Sequence, residues 1–139
     1  MNATTITTQV LNATTINLPR LDVFLPDLNE VLGVDTGGFF SFSRVGHTVT
    51  AQLDVPISGI VTNSSLMAFD VPAPYAMEGL GGNFLTFPIT MCINGVPTTG
   101  TLIVVDGQIL ISPEILLSFT LGDFVTIFST AVTYLVLDA

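Results

Sequence analysis

Side chains able to do chemistry are few in this 139-residue chain. There is one histidine, His47, one cysteine, Cys92, two arginines, Arg20 and Arg44, and no lysine. Covalent or acid–base catalysis needs a base held beside a nucleophile. His47 could join an Asp and a Ser, but the chain has no Gly-x-Ser-x-Gly elbow. Following Gly46, this lone histidine reads as a polar turn residue. A carboxylate pair could hydrolyse a glycoside. The candidates Asp70, Glu78, Asp106 and Glu114 have no distinctive spacing, and solvation of the surface accounts for them. The sequence holds no His-x-His, no Cys pair and no Asp-x-Asp-x-Asp loop. Three copies of His47, or of one Asp, could meet on a threefold axis, but spacing alone gives no ground for it. No catalytic residue, cofactor or metal ion is expected.

Glu78-Gly79-Leu80-Gly81-Gly82 is rich in glycine but lacks the Lys-Ser/Thr of a phosphate-binding loop, and no helix follows it. Its bland reading is a flexible connection. Its sharper reading is a recognition loop, with Tyr75, Met77, Glu78 and Asn83 as contact residues, because Tyr and Asn suit carbohydrate or protein contact.

The elements that would position such residues are constrained by composition. Hydrophobic residues make up 49% of the chain and charged ones 9%, with a net charge of -9. The mean hydropathy is +0.75 and the pI about 4.1. Disorder is excluded by hydropathy. Nucleic-acid binding is excluded by two basic residues, since phosphate neutralisation needs Lys and Arg. A soluble domain carries about 25% charged residues. The apolar surplus therefore belongs against a membrane or against copies of the same chain. A span over 115–137 would put Asp123 near mid-bilayer, at about 2.5–3.5 kcal/mol. Thr and β-branched residues there favour strand, so self-association is the preferred explanation. The first residues lack a basic n-region and an apolar h-region, so no secretory leader is expected. The single Cys92, in Thr90-Met91-Cys92-Ile93, reads as a small buried hydrophobe of a protein made in a reducing compartment.

Asn2-Ala3-Thr4-Thr5-Ile6-Thr7 recurs as Asn12-Ala13-Thr14-Thr15-Ile16-Asn17. Two copies are too few for a free-standing solenoid. They read equally as the end of a β-stalk or as a Thr-rich tail. Pro19 and Pro26 break regular structure. Asp27 to Gly33 suits one or two helical turns, with Asp27 as N-cap, Glu30 closing a capping box and Gly33 ending them. An extended N-terminal segment, stalk or anchoring arm, is thus expected over 1–36 and a head domain over 37–139.

The head reads as roughly eight or nine short strands, an all-β antiparallel sandwich or jelly roll. Gly46-His47, Asn94-Gly95 and Asp106-Gly107 mark hairpins. Thr48 to Val55 alternates cleanly. Pro88 makes the strand from Phe84 to Ile93 an edge or a bulged strand. Leu116–Leu121, Phe124–Ser129 and Thr130–Leu137 complete the set, with Gly122-Asp123 as a turn.

Phe42-Ser43-Arg44-Val45-Gly46-His47-Thr48-Val49-Thr50 resembles the aromatic-x-Arg-Val-Gly-x-x-Val-x segment that opens many head domains of bacteriophage and other viral tail fibres. Leu66 to Pro72 is similar to that family's later hydrophobic-Pro motif. Gly122-Asp123 and Thr133-Tyr134-Leu135-Val136 are similar to its closing hairpin and last strand. The Asn-Ala-Thr-Thr-Ile phrases resemble shaft repeats. The resemblance implies a homotrimeric fibre or spike head on the virion surface, made in the host cytoplasm. Such heads bind host-surface glycans or proteins and do no chemistry. It also implies structural roles for Arg44, Val45, Gly46 and His47, as an arginine at a core or interface and a tight turn.

Three functions follow: a trimeric attachment head; a capsid minor or decoration protein whose N-terminal arm anchors it to other virion proteins; and a small polysaccharide-cleaving enzyme. The first is preferred.

Overall fold

The computed structural model describes residues 17–33, 37–76, 84–114 and 117–136. The fold is an all-β antiparallel sandwich, with one sheet curled toward half a barrel. Ten strands occur among the described residues: β1 (Asn17–Pro26), β2 (Gly37–Val45), β3 (Thr48–Leu53), β4 (Ile57–Ile60), β5 (Met67–Asp70), β6 (Phe84–Ile93), β7 (Val96–Val105), β8 (Gln108–Ser112), β9 (Phe124–Ile127) and β10 (Thr130–Leu135). A four-stranded sheet runs β10-β3-β2-β1 and a six-stranded sheet runs β4-β9-β6-β7-β8-β5.

Local chemistry makes the hairpins. Val45 faces Thr48, Ile93 faces Val96 and Val105 faces Gln108, so each loop has two residues. Gly46 takes φ +62° and Gly107 +79°, while Asn94 and Gly95 take 53° and 80°. Two positive φ values in succession match a type I′ turn, whose twist suits the flanking strands. In β3, Val49, Ala51 and Leu53 are buried while Thr48 and Gln52 are exposed, the period-2 pattern of a sheet with one wet face.

The core lies between the sheets. Phe40, Phe42, Val49 and Leu53 meet Phe69, Met91, Leu102, Ile109, Ile111 and Val125. Phe40 and Phe69 link the two sheets, with ring centroids 5.1 Å apart. Burying each such side chain contributes about 1.5–3 kcal/mol. Gly100 in β7 has a packing reason, because a Cβ there would overlap Met91 Cε and stand 2.9 Å from its Sδ.

Several sequence expectations are corrected. The junction expected between 36 and 37 separates two paired strands: β1 pairs with β2 from Asn17↔Val45 to Pro26↔Gly37. Residues 17–26 are therefore the edge of the four-stranded sheet. The prolines are accommodated because an edge strand needs donors on one side only, and the register shifts between Leu18 and Leu21, around Pro19. The repeat itself lies outside the described residues, except for Asn17.

Residues 27–33 form two turns and no helix. Asp27 is buried and accepts from the N–H groups of Asn29 (3.0 Å), Val31 (2.9 Å) and Ala68 (3.1 Å). Glu30 sits at φ 50°, which stops helix propagation. Val31 and Leu32 then drop into the core.

Leu117–Leu121 is not a strand. Phe119 alone of these residues is buried, anchored by its N–H to Ser65 O (2.9 Å) and its carbonyl to Ser64 Oγ (2.9 Å). Gly122 keeps its turn conformation at φ 88° but joins no hairpin. The edge expectation for Pro88 holds locally: β9 covers β6 only at Met91–Ile93.

Candidate functional site

The Arg44–His47 turn forms one end of the sandwich. Arg44 points inward beside Val49 and is only 7% exposed. Its Nε donates to Gly46 O at 2.6 Å and its Nη1 to Pro74 O at 2.9 Å. A planar guanidinium can span two carbonyls in this way where an ammonium cannot. The Gly46 N–H donates to Asn17 Oδ1 at 3.1 Å. His47 Nδ1 lies 3.2 Å from Val136 O, and the His47 carbonyl accepts from the Val136 N–H at 2.7 Å. Val45 is exposed to solvent, at 69%.

Tyr75 belongs to this assembly and not to a contact surface. It is 5% exposed, in a single 3-10 turn (Ala73–Tyr75), with its ring 5.6 Å from that of Phe42. Its hydroxyl donates to Pro19 O at 3.1 Å, and its carbonyl accepts from the Tyr134 hydroxyl at 2.7 Å. Burial pushes the Tyr134 phenol well above its ordinary pKa. Met77, Glu78 and Asn83, the other expected contacts, lie outside the described residues.

The solvent face of the four-stranded sheet carries a second cluster that the sequence did not signal. Ser41 is buried and hydrogen-bonded to both Asp22 (2.7 Å) and Asp54. Arg20 Nε donates to Asp22 at 2.6 Å and its Nη2 to Asp54 at 3.3 Å. The hydrogen bond from Arg20, and then that from Ser41, holds the Asp22 carboxyl below its ordinary pKa. Beside it is a hollow of about 120 Å³ lined by Arg20, Ser41, Ser43, Thr50 and Gln52. Register places Ser43, Thr50 and Thr133 in one row across this face. Exposed apolar residues flank the polar middle: Val45 and Leu135 at one end, Phe24 and Phe39 at the other, the last two rings 5.2 Å apart. An i,i+2 charge pair in a strand, Arg20 and Asp22, was the available signal; Asp54 is brought in by folding alone.

Of the carboxylates weighed as a hydrolytic pair, Asp70 and Asp106 lie at one end of β8 and Glu114 at the other. Asp70 accepts from Gln108 Nε2 at 3.0 Å on β5, Asp106 occupies the β7–β8 turn, and Glu114 follows the opposite end of β8. Glu78 lies outside the described residues. No three His, Cys, Asp or Glu side chains gather to hold a metal among the described residues. Cys92 is half-buried rather than buried. Among the described residues no helix is long and apolar enough to cross a membrane. A cleft of about 540 Å³ is lined by residues of β6 and β7 together with Glu114 and Leu117.

No family model and no curated protein matches the chain.

Proposed function

We propose that the chain is a structural protein of the virion surface, a homotrimeric fibre or spike head that attaches the particle to a host-surface glycan or protein. The observation carrying this reading is the solvent face of the four-stranded sheet. Among the described residues its middle is mostly Ser and Thr, its ends are apolar, and its Arg20 pairs with both Asp22 and Asp54, leaving a single net negative charge. A second copy laid on such a face gains about 25 cal/mol per Å² of apolar area, set against the cost of covering one unbalanced carboxylate charge. The Phe42–Thr50 resemblance supports the viral assignment, since that stretch forms the arginine-anchored tight hairpin it implies. Residues 1–16 remain as the segment that would continue into a stalk or contact other virion proteins.

The test is the solution mass of the intact chain and of a version beginning at Asn17. A version beginning at Gly37 would strip β1 from its sheet. The trimer reading expects a stable trimer at micromolar concentration. A monomer in both cases overturns it. Weak self-assembly combined with firm binding to capsid shell would instead mark a decoration protein.

A further inference from the structure

The 540 Å³ cleft has an uncommon lining. Thr86, Pro88, Thr99 and Thr101 form its floor, and Glu114 and Leu117 stand on its rim. Alternation makes the floor a single face. Leu102 and Val104 point into the core, so Thr99 and Thr101 point away from it, and Ile89 sets Thr86, Pro88 and Thr90 likewise. The Leu117 N–H donates to Glu114 O at 3.0 Å, which holds the two rim residues together.

Hydrogen-bonding capacity is left open here. Among the described residues, the Thr86, Thr99 and Thr101 hydroxyls and the Glu114 carboxylate make no side-chain hydrogen bond. Ser112 sits opposite Thr101 on the same face, and its Oγ is fully buried without a partner. A buried orphan hydroxyl costs about 1–3 kcal/mol. It stands beside the one half-buried threonine of the floor.

The chemistry of the lining selects a ligand class. Three hydroxyls both donate and accept. One carboxylate can accept from two neighbouring hydroxyls of a ligand. Pro88 and Leu117 offer apolar walls. No Lys or Arg lines the cleft, and Glu114 together with a net charge of -9 repels anions. The volume falls within the range of small-molecule sites, about 300–1,000 Å³.

We propose that this cleft binds a neutral pyranose sugar, with the hydroxyls of Thr99 and Thr101 and the Glu114 carboxylate meeting sugar hydroxyls and with Pro88 and Leu117 packing against the ring; Thr86, about four residues farther along the strands, lies beyond a single ring. The proposal deepens the attachment reading and rests on it for the source of the sugar, a glycan of the host surface.

The experiment is titration of the full chain, followed by NMR, with methyl glycosides of glucose, galactose and mannose, and with sialyllactose as the anionic comparison. The expected result is millimolar binding of at least one neutral glycoside, tighter than that of sialyllactose. T99V keeps shape and strand propensity while deleting a hydroxyl, and E114Q changes an exposed side chain, so both preserve the fold. Each should weaken binding by about tenfold or more. Absence of binding by all three neutral glycosides, preference for the anionic sugar, or unchanged affinity in T99V/E114Q overturns the proposal. A trimer that binds no neutral sugar overturns the cleft and leaves the fibre reading standing. A monomer that binds sugar through these residues does the reverse.

Discussion

The Tyr134 hydroxyl donates a 2.7 Å hydrogen bond to the Tyr75 carbonyl, 59 residues away. Tyr134 lies on β10 of one sheet, and Tyr75 on the turn that follows β5 of the other. Arg44 binds the neighbouring Pro74 carbonyl from β2, and the Tyr75 hydroxyl returns to Pro19 on β1. One 3-10 turn is thereby fastened to three strands of the opposing sheet. The consecutive carbonyls of 74 and 75, which no ladder satisfies, are both satisfied by side chains.

Replacing Tyr134 by Phe removes this donor and should lower stability by about 1–2 kcal/mol in urea denaturation. A pH signature accompanies it. The folded phenol loses its proton only above its ordinary value, near pH 10. Above that pH the unfolded chain binds fewer protons than the folded one, so stability falls as pH rises, by up to about 1.4 kcal/mol per pH unit. Alkaline destabilisation should therefore begin near pH 10 and be reduced in Y134F.

Arg44→Lys should destabilise by about 1–3 kcal/mol, because one ammonium cannot hold Gly46 O and Pro74 O in the guanidinium's fork geometry. The midpoint of chemical denaturation should fall without a change of slope. A wild-type midpoint in R44K would count against the clamp.

Asp27→Ala strands the N–H groups of Asn29, Val31 and Ala68 and should cost about 3 kcal/mol or more, from roughly 1–3 per lost partner. D27N retains one acceptor oxygen and should fall between. Thermal melts of the two variants give the order.

The Asp22 carboxyl should titrate below an ordinary aspartate in an NMR pH series, and move upward in Arg20→Gln, which removes the leading cause of its shift. A carboxylate with a depressed folded pKa contributes stability above its unfolded value and loses it as pH falls through the folded value. High salt should shrink the difference, since the pair is exposed.

Gly100→Ala forces Met91 from its place and should cost about 1–3 kcal/mol. In a double-mutant cycle with Met91→Ala, the cost should be largely relieved. Additive costs would mean that Met91 is not the obstacle.

Legibility followed distance along the chain. Gly46-His47, Asn94-Gly95 and Asp106-Gly107 announced their hairpins because turn chemistry lies within four residues. The β1 strand was obscured because Pro19 and Pro26 are local breakers, whereas its pairing with β2 spans a separate stretch of chain. Asp27 looked like a helix cap; its contact with Ala68, 41 residues on, turned it into a tie between segments. The sugar-sized cleft was illegible for the same reason: Thr86, Thr99 and Thr101 share a face only once the β6–β7 register is known.

The strand order carries a consequence for synthesis. β4 and β5 are separated by residues 61–66 yet occupy opposite edges of the six-stranded sheet, and β4 bonds only to β9 among the described strands. β3 likewise waits for β10. On the ribosome, both rims stay unpaired until residues 124–135 emerge. A nascent chain therefore displays open strand templates to its neighbours until the end of translation. Premature termination anywhere before β9 would leave both sheets open to pairing between chains.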